Sequence, residues 1–224
     1  MTNHDSITDL HVYYDLIDYF SRNTSSEPKP IAHPDNSVNK LVEVGASALR
    51  KASVLIAVTR HAANNESQLV LTVRSENLNT HAGQISLPGG SQDEQDIDAV
   101  ATALRESEEE IGLPADKVDV IGQLGDMALP SGFQITPIVG LIEAGMSFVP
   151  CPVEVAEIFH APLSLVLNTD AYSSSLMRYK NRQRKILELQ FGDYRIWGAT
   201  AAILYHLAKE VADHKAQAAK ETIR

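Results

Sequence analysis

The sequence predicts a mixed α/β sandwich, and three observations carry that reading. Short β-branched and Leu-rich runs recur at Ala52–Thr59, Gln68–Arg74, Val118–Leu124 and Ile135–Ile142, the pattern of strands. Helical segments are interspersed among them without a regular βαβ repeat. The stretch from Ile97 to Ile111 lacks Gly and Pro, is strong in Ala, Leu and Glu, and is the clearest helix in the chain.

Each element follows from its composition. From Asp9 to about residue 21 apolar positions fall at helical spacing, and NTSSEPKPIAHPDNS after them is rich in Pro, Ser and Asn. Residues 1–40 therefore read as a helical appendage and linker, residues 41–214 as the main domain and residues 215–224 as a tail. The polar HAANNES between Ala52–Thr59 and Gln68–Arg74 predicts a hairpin, whereas SENLNTHAGQISLPGGSQDEQD is too glycine-rich and polar for regular structure. Beyond the second strand pair, Leu163–Leu167 reads as a short helix. Lys185–Phe191 and Arg195–Trp197 read as strands about a Gly192-Asp193 turn, and Gly198–Asp213 as an alanine-rich helix.

Composition excludes several function classes. The chain has 224 residues, 44% of them apolar, yet no apolar run approaches the roughly 20 residues of a membrane span. MTNHDSITDLHVYYDLIDYF carries acids and no basic n-region, so a cytoplasmic location is expected. Cys151 is the single cysteine, which excludes an intrachain disulfide framework and a cysteine-rich zinc site. Nineteen basic against 29 acidic side chains give a net charge of −10, which opposes binding to nucleic acid. No GxxxxGK[ST] loop, HExxH or dinucleotide fingerprint occurs.

At 100° per residue, Ile97, Val100, Ala101, Leu104 and Ile111 fall within a sector of about 100°, which is expected to face the core. Glu106, Glu109 and Glu110 lie about 180°, 120° and 220° from Ile97, on the opposite face. Three carboxylates so close repel one another. Water and salt relieve that repulsion on a solvated face, and a divalent cation bridging carboxylates to substrate phosphates relieves it in a site. Three neighbours favour the site: Gly89-Gly90 after Pro88, Arg105 four residues before Glu109, and the helix stop Gly112 with Pro114.

Together, Gly90, Arg105-Glu106, Glu109-Glu110 and Gly112-Leu113 resemble the Nudix box, with R-E-S-E-E-E-I-G-L at 105–113 as its core. The early acid of the box is Asp96 here, eight residues before Arg105, and Ser107 stands where an aliphatic residue is usual. Asp96 is left between a role in the box and a helix N-cap. LTVRSENLNTHAGQISLPGG at 71–90 resembles the segment preceding the box in coenzyme A diphosphatases. SGFQITPIVGLI, EVAEIFHAPLS and IWGATAAIL resemble their later segments, so the likeness runs from about residue 52 to 210. Asn79 replaces an arginine of that pattern and Leu87 an aromatic residue.

The resemblance implies a Nudix-type α/β/α sandwich with a mixed sheet, and hydrolysis of a nucleoside diphosphate derivative with Mg²⁺ or Mn²⁺. For coenzyme A the products are 3′,5′-ADP and 4′-phosphopantetheine. It assigns Glu106, Glu110 and the Gly90 carbonyl to the metal, and Glu109 to the metal or the attacking water, held by Arg105. Glu157 is the candidate general base and Glu154 the second. Arg74, His81, Ser131 and Phe133 are candidate substrate contacts, and the arginine contact absent at Asn79 is either lost or relocated to Arg74. ADP-ribose, NADH or another nucleoside diphosphate derivative is the alternative substrate, and a non-catalytic nucleotide sensor the alternative function. A homodimer is compatible with the sequence, which offers no patch by which to argue one.

Overall fold

The computed structural model describes residues 3–23, 27–36, 38–39, 49–61, 66–78, 80–179 and 182–222. In chain order the elements are α1 (Asn3–Arg22), β1 (Arg50–Thr59), β2 (Gln68–Arg74), β3 (Ile85–Ser86), β4 (Gly89–Ser91), α2 (Ala99–Ile111), β5 (Asp119–Gln123) and β6 (Met127–Ala128). There follow β7 (Phe133–Ile142), β8 (Val155–Pro162), α3 (Leu163–Val166), β9 (Tyr172–Tyr179), β10 (Arg182–Phe191), β11 (Tyr194–Trp197) and α4 (Ala199–Thr222).

The axis of the main sheet is the parallel pair β1–β7, in register from Arg50↔Phe133 to Thr59↔Ile142. β5 and β6 pair antiparallel to β7. On its other edge β1 meets β2 at Val58↔Leu69, as the predicted hairpin requires. Toward Ser53 the two strands part, and the segment from Ile85 to Ser91 lies between them: β3 pairs with β2 and β4 with β1. This wedge is the Pro-Gly-Gly segment, and Pro88 accepts the Leu55 amide at its apex. β8 pairs with β2 as well, from Gln68↔Pro162 to Arg74↔Val155. A separate antiparallel sheet has the order β11-β10-β9.

Alternation along β1 divides the core in two. Leu55 and Ala57 point to the layer of α2, with Ala103, Ile111 and Ile138. Ile56 and Val58 point the other way, to Leu16 and Phe20 of α1 and Leu204 and Leu207 of α4. The molecule is thus a layered mixed α/β fold.

Three expectations change. The segment expected as an appendage supplies core: Leu16 is wholly buried, Phe20 lies against Gly122, and Ile31 and Val38 are buried. Burying a Leu side chain contributes roughly 2 kcal/mol, enough to hold a helix that flanking ion pairs alone would not. Of the expected linker, residues 24–26 and 37 lie outside the described residues. α4 runs to Thr222, past the expected tail boundary, and Lys215 and His214 reach Asp15 and Asp18 of α1 at 2.6 and 2.9 Å. Finally, β9 (YSSSLMRY) is a strand where the polar sequence suggested none, because its backbone is paired along β10 from Leu189↔Tyr172 to Arg182↔Tyr179.

Candidate active site

The carboxylate helix begins later and faces elsewhere than its apolar pattern predicts. Its N-cap is Asp98, whose side chain accepts the Ala101 amide at 2.8 Å, so Ile97 lies outside the helix and is 90% exposed. The buried positions are Thr102, Ala103, Ser107, Glu110 and Ile111, whereas Val100 and Leu104 are half-buried on the flank. Small residues let α2 approach the sheet closely. The buried Ser107 hydroxyl is satisfied by the Ala103 carbonyl at 2.7 Å, which explains how serine serves at an otherwise aliphatic position. Gly112 closes the helix in the left-handed region, with φ 68° and its amide on the Glu108 carbonyl.

This rotation carries Glu110 inward, against the wedge. The Gly89 amide donates to its carboxylate at 3.0 Å. Gly89 has φ 148°, and a Cβ there would stand 2.2 Å from the Ser53 carbonyl oxygen. At Gly90 a Cβ would stand 2.4 Å from a Glu106 carboxylate oxygen. Both glycines are needed so that bare backbone meets the two carboxylates.

Arg105 is the hub of the outer flank. Its guanidinium grips Asp96 with two bonds of 3.0 and 2.9 Å, donates to the Ser91 carbonyl at 3.0 Å and to Glu109 at 3.0 Å, and lies 3.1 Å from Glu106. Asp96 is therefore the anchor of Arg105 rather than the N-cap, and its side chain is only 4% exposed. The Arg105 guanidinium holds the Asp96 carboxyl well below the usual carboxylate range. The longer spacer brings Asp96 back over the first turn of α2, a loop path that residue counting along a helix does not reveal.

The inner flank is electrostatically different. Burial pushes the Glu110 carboxyl up to about 7, against the opposing pull of the Gly89 amide and Arg74, and the charges of Glu154 and Glu106 push the same way as burial. Burial also raises Glu106, against the opposing charge and hydrogen bond of Arg105, with Glu109 and Glu154 adding to the effect of burial. The nearest compensation for Glu110 is Arg74, whose Nη1 lies 3.7 Å from it and whose buried Nε has no hydrogen-bond partner. Like charges are thus gathered here without enough counter-charge.

Of the expected site residues, the structure brings together Gly90, Arg105, Glu106, Glu109, Glu110 and Arg74. It places Glu157 elsewhere. Glu157 shares a face of β8 with Phe159, which packs away from α2, and its carboxylate accepts the hydroxyl of Tyr194, whose ring stacks on Phe159 at 3.8 Å. Glu154, just before β8, is the downstream acid whose charge reaches Glu106 and Glu110. Alternation in β8 fixes the side of Glu157, whereas Glu154 is placed by the loop before the strand, where its carbonyl accepts the Ser75 amide at 2.8 Å. His81 is exposed, has φ 60°, and bonds Gln84 at 2.9 Å. Ser131 is exposed in the turn before β7, and the Phe133 ring carries the Arg50 guanidinium 4.0 Å from its centre. Asn79 lies outside the described residues, and Leu87 is buried core. A cavity of about 320 Å³ lined by Thr59, Glu66, Gln68, Glu143 and His160, among others, lies at the far end of β1 and contains none of these residues.

A divalent cation suits the inner flank. Two partly or fully buried carboxylates face a backbone from which every Cβ has been removed, and hard oxygen donors are what Mg²⁺ and Mn²⁺ accept. Among the described residues no three acidic, imidazole or thiol side chains converge on one point, so the rest of a coordination shell falls to carbonyl oxygen and water.

The NUDIX domain family model matches residues 49–162, and the chain belongs to that family of hydrolases, which require divalent metal ions. A protein of Photorhabdus laumondii named Uncharacterized Nudix hydrolase NudL is 43% identical over 143 residues, covering 64% of this chain and 76% of that one. One of the same name from Pectobacterium atrosepticum is 38% identical over 164 residues, covering 73% and 84%. Among solved structures, the Nudix hydrolase RenU of M. smegmatis aligns at 20% identity and a TM-score of 0.48, covering 73% of this chain and 86% of that one. Among the described residues no helix is long and apolar enough to cross a membrane.

Proposed function

We propose that this Nudix hydrolase cleaves the diphosphate of coenzyme A or an acyl-coenzyme A, giving 3′,5′-ADP and the (acyl-)4′-phosphopantetheine, with Mg²⁺ or Mn²⁺. The observation that supports the hydrolytic site is the Glu106–Glu110 pair, raised in pKa and set against Gly89-Gly90. The likeness of residues 71–90 to the segment preceding the box in coenzyme A diphosphatases supports the substrate, and Arg74 within that segment stands beside Glu110.

Glu106, Glu110 and the Gly90 carbonyl would hold the cation, which when bound offsets diphosphate charge and acidifies water. Arg105 keeps the acids apart: tied to Asp96, it steers Glu109 outward and flanks Glu106. Glu154 replaces Glu157 as our candidate base, since it is the acid electrostatically coupled to the pair. It would take the proton of the attacking water while the phosphorus–oxygen bond of the diphosphate breaks. Arg74 would turn from Glu110 to a substrate phosphate once a cation neutralises that carboxylate.

The test is product analysis with coenzyme A, ADP-ribose and NADH in parallel, with Mg²⁺ or Mn²⁺, beside Glu110→Gln and Glu154→Gln. We expect 3′,5′-ADP and phosphopantetheine from coenzyme A, lost in the first variant and strongly reduced in the second. Cleavage of ADP-ribose or NADH alone would reject the substrate and keep the chemistry. Nucleotide binding without any turnover would make the protein a sensor.

A further inference from the structure

The sheet face that carries Gly90 continues sideways beyond the carboxylates. Ser53 of β1 pairs with Gly90 on one side and with Thr136 of β7 on the other, so Thr136 lies about 10 Å from Gly90, two strand spacings away. The alternation that turns Leu55 and Ile138 toward α2 puts Ser53, Thr136 and Gln134 on that same face. Above this strip stands Asp126, from the loop between β5 and β6. One of its carboxylate oxygens accepts the Thr136 hydroxyl at 2.7 Å and the other accepts the Gln134 amide.

Asp126 is half-buried, and no cation pairs with it among the described residues. Its position is fixed from behind: the Asp126 carbonyl accepts the Ile31 amide, and Gly125 lies so close to the Lys29 carbonyl that a Cβ would stand 1.9 Å from it. An ionised carboxylate has about four acceptor positions, of which the two protein donors fill two. A rigidly placed acceptor with spare capacity, above a strip two strand spacings from Gly90 and so beyond the reach of the diphosphate itself, is the arrangement by which a site selects a hydrogen-bond donor on the attached group and rejects a substrate lacking it.

We infer that Asp126, held by Gln134 and Thr136, is a specificity-determining subsite that accepts N–H or O–H donors from the part of the substrate attached to the diphosphate. This rests on the reading that the diphosphate lies at Gly90 and Glu106. The donors belong either to the nucleoside half, through ribose hydroxyls or the base amine, or to the other half, through amides and a hydroxyl. Lys51, the register partner of Gln134, is exposed on the same face and keeps the surroundings from being uniformly acidic.

The experiment measures kcat and KM for wild type, Asp126→Ala and Asp126→Asn on three substrates. These are coenzyme A, the hexyl ester of adenosine diphosphate, which keeps only the nucleoside donors, and the hexyl diphosphate ester of pantetheine, which keeps only the others. Asp126→Ala is expected to lower kcat/KM for coenzyme A about 10- to 100-fold, mainly through KM, as loss of a charged hydrogen bond does. Asp126→Asn, which retains the shape, is expected to lose less. The loss should persist on one hexyl ester and vanish on the other, which identifies the half that is read. Equal losses on all three substrates, or none on any, would overturn the subsite. If coenzyme A is not a substrate but ADP-ribose is, the same variants are compared on ADP-ribose, the adenosine diphosphate hexyl ester and the hexyl diphosphate ester of ribose, with the same outcomes supporting or overturning the subsite. If nothing is turned over, the same variants and compounds compared by calorimetric binding decide it, equal affinities contradicting the subsite.

Discussion

The two flanks of α2 hold similar residues and behave oppositely. On the outer flank Arg105 is surrounded by Asp96, Glu109 and the Ser91 carbonyl, and Asp96 is stabilised in its charged form. On the inner flank Glu106 and Glu110 are set into glycine backbone, Glu106 with Arg105 at 3.1 Å and Glu110 with only Arg74 at 3.7 Å, and burial outweighs both cations and shifts the two carboxyls toward their protonated forms. A compensated cluster is complete as it stands and fixes positions. An uncompensated one stores repulsion that a cation relieves, and that contrast distinguishes framework from working site without reference to motif.

The contrast is most severely tested by Glu110→Gln. Removing the charge should reduce turnover about 10³-fold while leaving the metal-free fold as stable as wild type or more so. A variant that loses activity because it unfolds would break the distinction. Gly90→Ala comes next: its methyl must displace the Glu106 carboxylate, so we expect about a 10²-fold loss of kcat with a cooperative thermal transition retained. Asp96→Asn should cost about 10-fold in activity and, unlike Glu110→Gln, some stability as well, because it loosens Arg105. Circular dichroism melts and steady-state rates on the same preparations separate these three outcomes.

The two flanks also differ in sign with pH. Glu110 is raised from 4.5 to about 7, so in the metal-free protein its contribution to stability is present below its ordinary value and lost as pH rises through about 7. Asp96 is lowered, so its contribution is present above its ordinary value and lost on acidification. Melting temperatures of the metal-free protein between pH 5 and 8 should fall more steeply for wild type than for Glu110→Gln, by a few degrees at most. Parallel curves would contradict the assignment of the stored charge.

Much of this was legible in the sequence because the chemistry is local there. Glu106, Glu109, Glu110 and Arg105 sit within two turns of one helix, and Gly112 ends it as the cap rule requires. What spacing could not reveal depends on packing. Ile97 looked like core and is solvent, since Asp98 rather than Asp96 starts the helix. The buried face of α2 follows small residues, Ala103 and Ser107, that hydrophobic periodicity underweights. Glu154 and Glu157 differ by three positions, and only the start of β8 at Val155 shows that Glu157 lies in the strand and Glu154 in the loop before it. The N-terminal helix looked detachable because its partner faces, on α4 and β5, lie far along the chain.

The central claim is that Glu106 and Glu110 form a charge centre that a divalent cation completes. Thermal unfolding of wild type and Glu110→Gln at pH 8, each with and without Mg²⁺ or Mn²⁺, tests it most directly. We predict that the metal raises the melting temperature of wild type, and that the variant starts at or above the metal-free wild type and responds little. An equal rise in both proteins, or a variant that is less stable than metal-free wild type, would contradict it.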